Sequence, residues 1–209
     1  NNGYNGTELW RIDQNGYPQQ VQDINPGSAS SNPRNFTVVN NILYFVATDN
    51  YNVSQLWKID QNGYPKGLGV PGGLSNPNNF TVLGDSLYFT ASEGMNGTEL
   101  WMMNSNTGNP INLNINYQNG ASNPSNFTAL GNILYFTAND GYSGTELWRI
   151  VANNYPQQVQ DINPGIGSSN PHNLTVIDNT LNFSADDGIN GTKMWRIDPN
   201  TGTPNPLSI

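Results

Sequence analysis

Five tryptophans recur inside one short phrase, and that recurrence constrains the fold of this chain more than any other feature. Gly6-Thr7-Glu8-Leu9-Trp10 returns as Ser54-Gln55-Leu56-Trp57, Gly97-Thr98-Glu99-Leu100-Trp101, Gly144-Thr145-Glu146-Leu147-Trp148 and Gly191-Thr192-Lys193-Met194-Trp195. Successive Trp residues lie 47, 44, 47 and 47 positions apart, a period of supersecondary size. A second landmark keeps the same step: Ser31-Asn32-Pro33, Ser75-Asn76-Pro77, Ser122-Asn123-Pro124 and Ser169-Asn170-Pro171 are spaced by 44, 47 and 47.

Within the third repeat, residues 126–130 alternate apolar and polar side chains, a turn follows at Gly131-Asn132, and residues 133–138 are rich in strand formers. Turn chemistry fills residues 139–144. Residues 145–150 alternate again, and after a turn through Asn153, Asn154, Tyr155 and Pro156 a last strand is predicted over residues 157–162. Gly, Pro, Asn and β-branched residues interrupt every window that might sustain a helical period. Four short strands in about 47 residues, marked by an aromatic, predict an all-β chain built as a β-propeller. A parallel β-helix uses shorter rungs and is the weaker alternative.

With the strands of a repeat lettered a to d from the Phe-Thr-Val strand onward, the chain reads as one repeat domain over 1–209. It comprises a half-repeat at 1–30 and full repeats at 31–74, 75–121, 122–168 and 169–209. The half-repeat carries only c and d. Four complete blades plus an N-terminal half-blade predict a five-unit arrangement with one open strand edge. Each buried backbone group left unpaired costs about 1–3 kcal/mol, so something should cover that edge. Two partners suit it: continuation of a longer repeat array, or self-association, in which strands of another copy complete the blade. The start at Asn1, in mid-repeat, is what a processed product or a fragment would show.

Charge narrows the partners. Seven Lys plus Arg against fifteen Asp plus Glu give a net charge of -8, a field that repels phosphate backbones and anionic headgroups; no nucleic acid is expected. No apolar run approaches the roughly 18 residues of a membrane span, so a soluble protein without membrane insertion is predicted. Charged residues are 11% of the chain and Cys is absent, which leaves no thiolate site or disulfide. Asn fills about one position in six, far above ordinary usage.

The phrase Glu-Leu-Trp followed by Asp resembles the bacterial ELWxxDGT repeat, found in tandem arrays of extracellular β-propellers, and the strand layout is similar to a kelch blade. Asp13, Asp60 and Asp198 stand where that family has its Asp, whereas Asn104 and Val151 depart from it. Gln14-Asn15, Gln61-Asn62 and Pro199-Asn200 replace the Gly-Thr that should follow. The resemblance implies the fold and an extracellular or cell-surface location rather than an activity.

Residues that repeat strictly are assigned to architecture. Trp10, Trp57, Trp101, Trp148 and Trp195 are expected to pack between blades, where one ring buries about 150–250 Å²; stacking platforms for glycans are the alternative. Ligand sites are sought where repeats differ, at the residue after each Asn-Pro: Arg34, Asn78, Ser125 and His172, predicted to gather at one mouth of a central channel. His172 is the only histidine, which places it in this polar ring rather than in a triad or metal site. The turns at Asp49, Glu93, Asp140, Asp186 and Asp187 offer oxygens that calcium would need. Their Asp, Asn and Gly residues are read first as turn formers, and no other cofactor is expected.

Glu8, Glu99 and Glu146 recur, but Gln55 and Lys193 stand in their place elsewhere. A structural role on the surface of strand c is predicted for them. No Gly-x-Ser-x-Gly elbow, Walker loop or His-Glu-x-x-His occurs. The Asn-x-Thr sequons at Asn35, Asn79, Asn126 and Asn173 coincide with the repeat consensus and take the same fold explanation. The expected protein is a non-enzymatic, extracellular or cell-surface repeat module for adhesion, matrix or filament architecture. A multivalent carbohydrate-binding lectin is the alternative, and a hydrolase built on the acidic turns is a third reading for which no acid and base pair can be named.

Overall fold

The computed structural model describes residues 4–69, 74–94, 97–104, 108–118, 120–151 and 155–207. Asn153 and Asn154 lie outside the described residues. The half-unit holds β1 (Leu9–Ile12) and β2 (Pro18–Gln22), and the first blade β3 (Arg34–Val39), β4 (Ile42–Thr48), β5 (Ser54–Ile59) and β6 (Pro65–Gly67). The second blade has β7 (Leu74–Leu83), β8 (Ser86–Glu93), β9 (Thr98–Asn104) and β10 (Pro110–Asn112). The third has β11 (Ser125–Leu130), β12 (Ile133–Asn139), β13 (Thr145–Val151) and β14 (Gln157–Gln160), and the fourth β15 (His172–Ile177), β16 (Thr180–Asp186), β17 (Thr192–Ile197) and β18 (Pro204–Pro206). Every blade is a four-stranded antiparallel meander in chain order, and among the described residues β1 pairs only with β2. The predicted four-strand repeat and the half-unit are therefore both present.

Backbone geometry accounts for part of the asparagine content. Among the described residues, thirteen of the fourteen non-glycine residues with positive φ are Asn, the side chain that best tolerates left-handed backbone. Each blade uses the conformation at the same places. Asn32, Asn76, Asn123 and Asn170 adopt it before the Pro, and Asn35, Asn79, Asn126 and Asn173 adopt it three residues later, in strand a. At the latter the a–b register shifts by a bulge in all four blades. The Thr of each sequon donates its hydroxyl back to the Asn carbonyl, from 3.1 Å at Thr175 to 3.4 Å at Thr37. The sequon pattern is thus a bulge device. Asn40-Asn41 and Asp178-Asn179, both with positive φ, close a–b hairpins in the manner of a type I′ turn.

Because side chains alternate across a strand, each sheet presents apolar residues on both faces, and the cores lie between blades. Tyr44 and Leu56 of the first blade pack with Leu87, Phe89, Ala91, Trp101 and Met103 of the second. Tyr88 and Leu100 meet Phe136, Ala138, Trp148 and Ile150 of the third. Tyr135 and Leu147 meet Phe183, Ala185, Trp195 and Ile197 of the fourth, and Leu9 and Ile24 of the half-unit cover Phe45, Ala47 and Trp57. Trp57, Trp101, Trp148 and Trp195 therefore face the preceding unit, and Leu9, Leu56, Leu100 and Leu147 face the following one. Strands a of successive blades run side by side, β3 beside β7, β7 beside β11 and β11 beside β15.

The second blade departs from the others where it begins. Strand β7 starts at Leu74, one residue ahead of the predicted boundary, because Leu74 and Ser75 pair with Glu93 and Ser92. This is the junction at which Gln55 replaces Glu.

Candidate functional site

The repeated glutamates are buried, which corrects their expected place on the surface of strand c. Glu8, Glu99 and Glu146 are only 6, 3 and 0% exposed. The carboxylate of Glu146 receives the Ser169 N–H at 2.6 Å on Oε1, and the Ser169 hydroxyl at 2.5 Å and the Ile162 N–H at 3.1 Å on Oε2. Glu8 repeats the arrangement with Ser31 and Ile24, and Glu99 takes the N–H and hydroxyl of Ser122. The carbonyls of Ser31, Ser122 and Ser169 then accept the N–H of Thr48, Asn139 and Asp186 in the next blade. One carboxylate thus clamps the linker that joins two units. Lone buried carboxylates are costly unless hydrogen-bonded, and three donors on Glu8 and Glu146 and two on Glu99 offset part of that cost. Gln55 bonds to Asp49 instead, and Lys193 pairs with Asp187 at 2.5 Å.

The tryptophans form a second repeated device. Trp57, Trp101, Trp148 and Trp195 donate their indole N–H to the carbonyls of Ala47, Ala91, Ala138 and Ala185 at 3.0–3.2 Å. Each lies opposite a phenylalanine of strand b: Phe45, Phe89, Phe136 and Phe183. Trp10 has neither partner. It is 37% exposed, on a sheet that lacks strands a and b.

Arg34, Asn78, Ser125 and His172 occupy one register position, opposite Val46, Thr90, Thr137 and Ser184 of strand b. All four are exposed. Asn35 donates its side-chain amide to Asn78 across the first two blades at 3.1 Å, and His172 Nδ1 lies 3.0 Å from the Asn170 carbonyl. None of the four lines the cleft described below.

The acidic turns are spent on their own backbone. Asp49 accepts the N–H groups of Tyr51 and Val53, Asp140 those of Tyr142 and Ser143, Asp186 that of Gly188, and Asp187 those of Ile189 and Asn190. Among the described residues no three His, Asp or Glu side chains gather as a metal site would require.

A cleft that the sequence reading missed lies between the third and fourth blades, with a volume of about 420 Å³. Tyr135 and Arg149 form one wall, and the c–d turn of the fourth blade, with Asp198, Asn200 and Thr201, forms the other. Arg149 Nε is buried without a hydrogen bond. The Tyr135 hydroxyl is raised by burial against the pull of the same guanidinium. The available signal was the residue after each Trp, which is Arg11, Lys58, Met102, Arg149 and Arg196. What hid it was the opposing wall, supplied by a different repeat.

Stability should vary with pH in two opposed ways. Burial pushes Glu99 and Glu146 above the usual glutamate value, against the pull of Ser122 and Ser169. Between about 4.3 and the raised value the folded chain binds more protons than the unfolded one, so stability falls as pH rises through that window. Asp187 is held low by the Asn190 and Lys193 side chains, and Asp60 by the N–H groups of Tyr64 and Asn62. In Asp140 partial burial is outweighed by the donors of Ser143 and Tyr142. These aspartates contribute stability above about pH 3.9 that is lost as pH falls through their depressed values. Melts from pH 7 to 3 should show Tm rising on mild acidification and falling below about pH 4. The double variant E99Q/E146Q should lose the rise and keep the fall.

Repeated four-stranded antiparallel blades, packed face to face with strands a innermost, define a β-propeller. No protein-family model and no curated protein matches the chain. Solved structures do. A puromycin-hydrolyzing peptidase of Mycobacterium tuberculosis is similar at 12% identity and TM-score 0.57, over 97% of this chain and 35% of its own. A catalytically inactive H270A virginiamycin B lyase of Staphylococcus aureus, solved with quinupristin, is similar at 20% identity and TM-score 0.50, over 96% and 62%. TolB of Acinetobacter baumannii is similar at 18% identity and TM-score 0.45, over 96% and 49%. The chain spans less than two thirds of each, and what it shares with the peptidase and the lyase is the fold.

Proposed function

We propose that this chain is a non-enzymatic repeat module of the cell exterior, of the kind the ELWxxDGT resemblance implies, serving adhesion, matrix or filament architecture by associating through its half-unit. The observation that carries this reading is Trp10, 37% exposed where Trp101 is 2% and Trp195 is 6% exposed. An apolar strand with an unpaired edge is a template for another chain. The non-enzymatic part is supported by the occupation of the repeated carboxylates, since Glu8, Glu99 and Glu146 are each tied to a linker and the acidic turns to their own N–H groups. Light scattering across a concentration series tests the association, with regular polymers under the electron microscope as the expected result. A chain that stays monomeric at every concentration contradicts it.

The cleft at Arg149 favours a second reading as a carbohydrate-binding lectin. Its unpaired guanidinium nitrogen, the Tyr135 hydroxyl and the Asn200 and Thr201 side chains suit a hydroxylated ligand, and weak sites gain by avidity when repeated. A glycan array at high ligand density separates the two. Binding that R149A abolishes, with no polymers, favours the lectin.

A further inference from the structure

Five apolar side chains are exposed at positions whose repeat equivalents are buried or partly buried, three in the half-unit and the first blade and two in the fourth blade. Trp10 is one. Ile12 is 67% exposed, whereas Met103, Ile150 and Ile197 are 0, 0 and 3% exposed. Phe36 of β3 is 52% exposed, whereas Phe80, Phe127 and Leu174 are partly buried against the interblade cores. On the fourth blade Met194 is 44% exposed, against 0% for Leu56, Leu100 and Leu147, and Ile177 is 48% exposed, against 2% for Val39 and 4% for Leu83.

We infer that the open edge of β1 and the Trp10 face beside it form the acceptor site for one β-hairpin of the a–b repeat type. This rests on the architectural reading above and names the partner's chemistry. The interblade interface already present between each pair of units sets the requirements. The second hairpin strand must put a Phe opposite Trp10 and, two residues later, an Ala carbonyl within reach of the indole N–H, as Phe136 and Ala138 do for Trp148. The first strand needs the left-handed Asn that makes the bulge, and its hairpin covers Phe36. Strand addition supplies affinity through the backbone, and alternate side chains supply specificity. A hairpin without the Phe-x-Ala spacing leaves the Trp10 N–H unpaired.

The probe is a synthetic, fluorescently labelled peptide with the sequence of residues 122–140, added to the 209-residue chain. The expected result is saturable one-to-one binding with slowed amide exchange over residues 9–12. W10F in the chain, or Phe136→Ala in the peptide, should each weaken binding about ten-fold, as the loss of an aromatic contact and its hydrogen bond implies. The peptide variant leaves the chain unaltered, so a folding defect cannot mimic the loss. The peptide should also suppress concentration-dependent assembly. Absent binding, or binding indifferent to both substitutions, overturns the inference. If copies assemble undisturbed by the peptide, they meet face to face, and the hairpin inference fails while the architectural reading stands. If the peptide binds and the chain never assembles, the hairpin inference stands and the architectural reading fails.

Discussion

Trp148→Ala is expected to destabilise the chain by about 4 kcal/mol, in the range for large aromatic truncations in a core. For a chain of this size that corresponds to a Tm lower by about 8–16 °C. The ring is 9% exposed, packs among Leu100, Phe136 and Ile150, and donates to the Ala138 carbonyl at 3.1 Å. Truncation opens a gap between the second and third blades and leaves that carbonyl without its indole partner. Trp10→Ala makes the same chemical change in the same sequence phrase, yet it should cost about 2 kcal/mol, half as much, because the ring is 37% exposed and has neither the indole hydrogen bond nor the facing Phe. Thermal melts of the two variants side by side read the difference. Equal losses would mean that Trp10 is covered in solution.

Glu146→Ala should have an effect of similar size, on the order of 4 kcal/mol. A hydrogen bond to a charged group contributes about 1.5–3 kcal/mol, and a buried donor left unpaired costs about 1–3 kcal/mol. The substitution strands the N–H groups of Ile162 and Ser169 and the Ser169 hydroxyl. Because Ser169 also holds the fourth blade through the Asp186 N–H, the damage should reach beyond the site. Amide exchange is expected to accelerate first in β15 and β16. Lys193→Ala, at the equivalent strand position but with a half-exposed ion pair, should change stability by less than about 1 kcal/mol. Comparable losses in the two variants would remove the clamp from the account.

Strand positions were readable because alternation and turn residues are local. Residues 126–130, 133–138 and 145–150 were expected as strands, and β11, β12 and β13 extend them by a single residue each. The last strand ends two residues short of the predicted 157–162, since Ile162 turns to give its N–H to Glu146 and Asp161 accepts the Gly165 N–H. The glutamates were misplaced for a physical reason: a charged residue in an alternating strand reads as solvent-facing unless its donors are known. A signal did exist. Glu8, Glu99 and Glu146 each precede a bonded serine by 23 residues, while Ser75, which follows Gln55, keeps a shorter spacing. The Arg149 cleft was not legible, because its second wall belongs to the next repeat and depends on how two blades meet. The unequal strand count was legible from the start, and the exposure of Trp10, Ile12 and Phe36 gives it side-chain content.

Acrylamide quenching of tryptophan emission, in the wild-type chain and in W10F, tests the central claim most directly. In dilute monomer one readily quenched component is predicted, present in the wild type and missing from W10F. It should become protected as concentration rises, in step with the mass seen by light scattering. A Trp10 already shielded in the monomer, or one that stays equally accessible while the chain assembles, would contradict the account.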